Sequence, residues 1–281
     1  VNWIDFGTRR RASFEVQDAV CEIMKRWRPD AVSTESQNIG FDGAGKSFTS
    51  GTGTHVHPTT GVFRGTSNPY LGMRHDLTSN GTTAHELTMA FQALYGLEMC
   101  NQKTMDHWIE EYRGSLGIAL TDTVTTPVFL RSFDRYYAKL YDGCRQDSGD
   151  PKKIGDMIIA HYKSLDIDPM SKILVLSDAL TTDKAINLHN YFLGRIKTTM
   201  GIGTHLSNDV GWLASNHVIK LVEIDFGHGF RPLLKLSDDV GKIVGGKRFA
   251  IDGMRQLHIP LSKEQAEEEI SRSAIIGSFV N

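Results

Sequence analysis

The sequence predicts an α/β fold organised around a parallel sheet, and three observations carry that reading. From residue 117 onward, short apolar stretches alternate with amphipathic helical patterns, as in consecutive βα units. Each apolar stretch runs into a polar turn: Gly117–Leu120 into Thr121-Asp122-Thr123, Asp142–Arg145 into Asp147-Ser148-Gly149-Asp150-Pro151, Ile173–Leu176 into Ser177-Asp178, and Lys197–Met200 into Gly201-Ile202-Gly203-Thr204. Counted from Asp122 to Asp147, to Asp178 and to Gly203, the turns recur 25, 31 and 25 residues apart, about one βα unit each time. Polar groups therefore gather at the carboxyl ends of successive strands, where barrels and open parallel sheets bind ligands.

The chain opens with Val1-Asn2-Trp3-Ile4-Asp5-Phe6-Gly7, an apolar, strand-like stretch. A domain seldom begins inside its own core, so this opening is expected to belong to a longer protein or a processed product. From Ser13 a helix is expected, with Ser13 as its cap, Val16, Val20, Ile23, Met24 and Trp27 on one face, and Pro29 as its stop. Residues 30–62 are rich in Gly, Ser, Thr and Asn without periodicity and read as a mobile surface insertion. Gly81-Thr82-Thr83-Ala84-His85-Glu86 leads from a glycine turn into an amphipathic helix that ends near Gly96. Pro151 suits the first position of a helix, which makes Asp150 its cap and leaves Asp147 to face a ligand. The expected organisation is one α/β domain over residues 1–29 and 63–260, with the insertion at 30–62 and a C-terminal tail at 261–281.

Composition narrows the function. Hydrophobic residues make up 40% and charged residues 23% of 281, an ordinary globular balance. Thirty-one Lys and Arg against 33 Asp and Glu give a net charge of −2, so no general positive field draws the chain onto nucleic acid or anionic lipid. No apolar run approaches the ~20 residues of a membrane span. Cys21, Cys100 and Cys144 are too few and scattered for a disulfide framework or a thiolate metal site, which fits a reducing cytoplasm.

Several constellations could carry chemistry. Carboxylates at strand ends beside a glycine turn suit a sugar phosphate, because ionised Asp accepts hydrogen bonds from ribose hydroxyls while backbone N–H groups receive the phosphate. The plain alternative for Asp122, Asp147 and Asp178 is helix capping, and for Gly201-Ile202-Gly203-Thr204 a tight strand-to-helix turn. Asp5-Phe6-Gly7-Thr8-Arg9-Arg10-Arg11 sets an aromatic ring and three guanidiniums at a strand end; the alternative is a core Phe6 and a solvated basic face. His85 falls in the first turn of its helix, where the dipole disfavours the imidazolium and favours an attached anion, so it is a usable nucleophile or simply a hydrogen-bonded helix-start residue. Gly40-Phe41-Asp42-Gly43-Ala44-Gly45-Lys46-Ser47 spells a phosphate loop, but the motif requires a buried strand before it and a helix after it, and neither flank qualifies. His55 and His57 lack further ligands for a metal.

Taken together the residues resemble the nicotinate phosphoribosyltransferase family. The pieces are Asp5-Phe6-Gly7-Thr8-Arg9-Arg10, Gly65-Thr66-Ser67-Asn68, Gly81-Thr82-Thr83-Ala84-His85-Glu86, Leu120-Thr121-Asp122, Arg145-Gln146-Asp147-Ser148-Gly149-Asp150-Pro151, Ser177-Asp178, Gly201-Ile202-Gly203-Thr204 and Lys235-Leu236-Ser237-Asp238, in family order. The resemblance implies an irregular α/β barrel of the type II phosphoribosyltransferase kind, with the family's amino-terminal segment absent here. It implies a cytoplasmic enzyme that joins nicotinate to phosphoribosyl pyrophosphate with Mg2+, couples turnover to ATP through a phosphorylated His85, and works as a homodimer or with the missing segment. By the same likeness, Phe6 stacks on the pyridine ring, and Arg9 and Arg145 meet phosphate or carboxylate. Asp147 and Asp178 hold the ribose, Asp122 belongs to the substrate site, and Gly201, Gly203 and Thr204 take the 5′-phosphate. A neutral Ser67 favours an acid substrate over an amide. The competing expectations are a binding or regulatory fragment without turnover and, further off, an NTPase using Lys46.

Overall fold

The computed structural model describes residues 1–26, 39–41, 47–49, 61–215, 217–239, 242–262 and 265. In chain order the elements are β1 (Asn2–Asp5), α1 (Phe14–Lys25), β2 (Ile39–Phe41), β3 (Ser47–Thr49), β4 (Val62–Thr66), α2 (Pro69–His75), α3 (His85–Tyr95), α4 (Cys100–Tyr112), β5 (Ile118–Leu120) and α5 (Thr126–Ser132). They continue with α6 (Arg135–Leu140), β6 (Gly143–Gln146), α7 (Pro151–Ser164), β7 (Ile173–Leu176), α8 (Thr182–Phe192), β8 (Lys197–Ile202), α9 (Thr204–Ser207), β9 (Glu223–Asp225), β10 (Phe230–Pro232) and α10 (Lys247–Gln256). The four strands expected between residues 117 and 200 are present within two residues of their expected ends. The expected α/β fold is therefore the observed one.

The chain divides into two compact units, residues 1–82, 116–119 and 139–218, and residues 83–115, 120–138 and 219–281. The first unit holds a six-stranded sheet in the order β4-β1-β8-β7-β6-β5, and β4–β1, β1–β8, β8–β7 and β7–β6 all pair in parallel. Strands such as β7, with Leu174, Val175 and Leu176 all buried, are the continuous apolar runs that a parallel sheet covered on both faces requires. Between α7 and α8 packing is close: a Cβ on Gly155 would lie 2.3 Å from the Phe192 ring, so only glycine lets these helices approach.

Helix α1 is capped as expected, the Ser13 hydroxyl accepting from Val16 N at 3.2 Å. Its inward face differs from the apolar stripe read in the sequence. Gln17 and Cys21 are its buried residues, Phe14 and Met24 pack beside the Cys21–Phe63–Leu71–Leu77 cluster, and Ile23 is exposed. A polar side chain faces inward because a buried carboxylate awaits it, as described below. The insertion boundary also shifts, since Val62 already belongs to β4. Within 30–60 the described residues are β2 and β3, paired antiparallel with Phe41 opposite Ser47. Lys46, His55, His57, Trp27 and Pro29 lie outside the described residues, as does most of the 261–281 tail. At its start, Ser262 and Gln265 exchange hydrogen bonds as a capping box.

The second unit packs helices on a core of Leu97, Cys100, Val124, Val128, Leu234, Leu236, Ala250 and Leu257. Buried Gln92 of α3 ties the 233–236 segment in place, donating to Leu234 O at 2.7 Å and accepting from Leu234 N at 2.8 Å.

Candidate active site

Parallel register aligns the strand ends of the first unit. Asp5 pairs with Thr66 on one side and Ile202 on the other, Leu176 pairs with Met200 and Gln146 with Leu176. Phe6, Ser67, Gly203, Ser177 and Asp147, each one residue beyond, thus leave the sheet at one end. Fully buried Asp5 anchors this edge. Its Oδ1 accepts from Gly7 N at 2.8 Å, and its Oδ2 accepts from Gln17 Nε2 at 2.7 Å and Thr66 Oγ1 at 2.7 Å. A buried carboxylate needs such donors to offset lost hydration, which explains the inward-facing Gln17. Asp5 O also accepts from Ser67 N at 2.8 Å, so one residue fixes both the Phe6 turn and the half-buried Ser67.

Phe6 N donates to Ile202 O at 2.8 Å, and the ring lies against Gly201, where an added Cβ would fall 2.6 and 2.8 Å from two ring carbons. Strand β8 runs through Ile202, so Gly201 makes room for an aromatic ring inside the strand. The turn proper is Gly203, followed by the short helix α9 from Thr204.

Arg145 reaches over the same ring, its guanidinium carbon 5.4 Å from the Phe6 centroid. The guanidinium is held at all three nitrogens: Nε donates to Ser177 Oγ at 2.9 Å, Nη1 to Thr82 Oγ1 at 2.8 Å and Nη2 to Asp147 Oδ1 at 2.6 Å. Asp150, not Asp147, caps α7, accepting from Lys152 N and Lys153 N at 2.9 and 3.3 Å, as the Pro151 position implies. Asp178 lies half-buried just past β7 and Arg9 is exposed in the short 3-10 turn Thr8–Arg10.

In the second unit His85 opens α3. Its Nδ1 stands 3.0 Å from Thr123 Oγ1 and its Nε2 3.7 Å from Asp122 Oδ1, and the residue is only 5% exposed. Asp122, fully buried, also faces Lys235 Nζ at 3.6 Å. Beside His85, Glu86 is partly desolvated, yet the Lys220 ammonium at 2.8 Å holds its carboxyl below the usual range. Asp238 caps α5 from the distant Lys235-Leu236-Ser237-Asp238 segment, accepting from Thr126 N at 2.7 Å and Thr126 Oγ1 at 2.6 Å. Burial pushes the Asp238 carboxyl up to about 6 against the pull of those donors. All three cysteines are free and buried, and desolvation pushes each thiol up to about 12, which keeps them protonated and unreactive.

Sequence reasoning gave no role to Ser177, Thr82, Thr123 or Lys235, though each lies in or beside a motif. The signal was adjacency: Ser177 precedes Asp178 at a strand end as Gln146 precedes Asp147.

The model of the nicotinate phosphoribosyltransferase (NAPRTase) family matches residues 1–258. The chain belongs to the nicotinate phosphoribosyltransferase family. A relative named nicotinate phosphoribosyltransferase from Acinetobacter baylyi is 41% identical over 266 residues, 94% of this chain and 56% of the relative. Another of that name from Neisseria meningitidis serogroup B is 44% identical over 254 residues, 90% and 54% of the two chains. Among solved structures, the nicotinate phosphoribosyltransferase from Porphyromonas gingivalis matches with TM-score 0.77 at 35% identity, covering 92% of this chain and 60% of that one. That from Vibrio cholerae matches with TM-score 0.76 at 34% identity, covering 97% and 59%. The chain spans about half the length of the curated nicotinate phosphoribosyltransferases it matches. Among the described residues no helix is long and apolar enough to cross a membrane.

Proposed function

We propose that this chain carries the substrate site of a nicotinate phosphoribosyltransferase. It would form nicotinate mononucleotide and pyrophosphate from nicotinate and phosphoribosyl pyrophosphate, with ATP coupling through phosphorylation of His85. The observation that supports this best is the Arg145 guanidinium, fixed by three partners over the Phe6 ring beside Asp147 at the carboxyl end of a parallel sheet. An aromatic face, a fixed cation and a carboxylate suit a pyridine ring, a carboxylate or phosphate, and a ribose hydroxyl.

In this reading Phe6 stacks on the pyridine, and Ser67, without charge, accepts the neighbourhood of its carboxylate. Asp147 and Asp178 hold the ribose, Gly201, Gly203 and Thr204 surround the 5′-phosphate, and Arg9 and Arg145 supply positive charge. Breaking the ribose–pyrophosphate bond builds an oxocarbenium-like sugar, which fixed carboxylates stabilise, and a leaving polyanion, which cations stabilise. No covalent enzyme–sugar intermediate is required. Mg2+ prefers oxygen donors and accompanies phosphates, so with phosphoribosyl pyrophosphate it would neutralise pyrophosphate charge.

His85 would take the γ-phosphoryl group of ATP, and the dipole of α3 would favour the anion then attached to the ring. Asp122, Thr123 and Lys235 orient the ring and balance its charge. We place the enzyme in the cytoplasm, consistent with three scattered cysteines and no disulfide framework, as a homodimer or with a further amino-terminal segment supplying a second aromatic face. An NTPase site at Lys46 is disfavoured because Ser47, where a phosphate loop would pass into a helix, instead opens strand β3.

Chromatography of the chain incubated with nicotinate, phosphoribosyl pyrophosphate, ATP and Mg2+ should reveal nicotinate mononucleotide. The competing outcome is ligand binding with no product. If that persists when a full-length relative is added as partner, the chain is a binding fragment.

A further inference from the structure

We propose that Ser177 is the positioning residue that holds Arg145 and Asp147 as one unit, an inference that rests on the functional reading above. Its hydroxyl has one proton and two acceptor lone pairs. It accepts from Arg145 Nε at 2.9 Å, while Asp147 Oδ1 at 2.9 Å and Gln146 O at 3.1 Å compete for its proton. The carboxylate is nearer and charged, so it takes the proton. Arg145 Nη2 donates to the same Asp147 Oδ1 at 2.6 Å. Arg145, Ser177 and Asp147 therefore close a ring of three hydrogen bonds, which neighbouring strands bring together because β6 and β7 pair in register.

The ring has a geometric consequence. Asp147 alone would let the guanidinium pivot about Nη2; a second bond at Nε, on the same edge of the guanidinium, stops that rotation and sets the plane above Phe6. Thr82 at Nη1 completes the hold. Ser177 Cβ also stands near the Cβ position denied to Gly201, so the residue at 177 is limited in size as well as in chemistry. Ser177 needs no contact with substrate: it acts by denying Arg145 and Asp147 other orientations, which is the preorganisation on which electrostatic catalysis depends.

The test titrates the full chain with nicotinate mononucleotide, which presents ring, carboxylate, ribose and phosphate together and does not turn over alone. Ser177→Ala should bind about tenfold more weakly, as expected for losing hydrogen bonds to charged groups. Ser177→Cys, near in size but a poor donor and acceptor, should weaken binding in the same direction and guards against a packing artefact. In an Arg145→Lys background, where Nε is gone, Ser177→Ala should cost less than about twofold, because most of its effect passes through Arg145. The Arg145 Nε–H resonance, protected in the parent, should broaden by exchange with water in Ser177→Ala. Unchanged affinity in Ser177→Ala, or the same loss in both backgrounds, overturns the positioning role while leaving the functional reading intact. A parent chain that does not bind nicotinate mononucleotide overturns both.

Discussion

Replacing Asp238 by Asn should remove a pH-dependent part of this protein's stability, and the structure gives its sign and size. Asp238 is half-buried, desolvation raises its folded carboxyl from the ordinary 3.8 to about 6, and it caps α5 through Thr126. Between those values the folded state keeps a proton that the unfolded chain has released, so this group's contribution falls as pH rises through the interval and is constant above it. From about pH 4.5 to about pH 7 the decline amounts to about 2 kcal/mol. Carboxylates such as Glu86 and Asp156, whose folded values are lowered, change in the opposite sense. The difference between parent and Asp238→Asn is therefore the quantity to follow, by urea denaturation across that range. Asn still offers an oxygen to Thr126 N, so the cap survives the change. The parent should lose about 2 kcal/mol relative to the variant as pH rises. A pH-independent difference would refute the claim that burial dominates at Asp238.

Three further predictions concern the substrate site. Gly201→Ala should push the Phe6 ring aside, since the new Cβ would lie 2.6 Å from a ring carbon; nicotinate KM should rise about tenfold while Tm falls only modestly. Ser67→Asp should lower nicotinate kcat/KM on the order of a hundredfold by setting like charges together in a partly dry pocket, and an unchanged value would remove Ser67 from the pyridine site. Mg2+ and ATP should phosphorylate His85, giving an added mass stable in alkali and lost in acid; His85→Ala should abolish it and the ATP stimulation while sparing uncoupled synthesis. Stimulation that persists in that variant would leave His85 as a helix-start residue.

Local rules made much of the fold legible. Alternating apolar strands and polar turns located β5 to β8, Pro151 identified Asp150 as a cap, and the glycines around His85–Tyr95 bounded α3. What stayed hidden depends on residues far apart in sequence. The buried face of α1 is turned toward Gln17 because Asp5 needs a donor, which no apolar periodicity reveals. Asp238 reaches back 112 residues to cap α5, whose own N-cap, Thr125, makes no side-chain capping hydrogen bond. Gly201 read as part of a phosphate turn, whereas its close contact with Phe6 depends on β1 pairing with β8. Asp147 and Phe6 were legible as candidates from residue type and strand-end position, and Arg145 only through the family resemblance. Ser177 was not, because its significance arises only when β6 and β7 lie side by side.

A crystal structure of the chain with nicotinate mononucleotide would show whether the strand-end cluster is the substrate site. The pyridine ring should lie against Phe6, the ribose hydroxyls should meet Asp147 and Asp178, and the phosphate should rest on the backbone at Gly203 and Thr204. Nicotinate mononucleotide bound elsewhere, with Phe6, Arg145 and Asp147 untouched, would rule out the strand-end cluster as the substrate site.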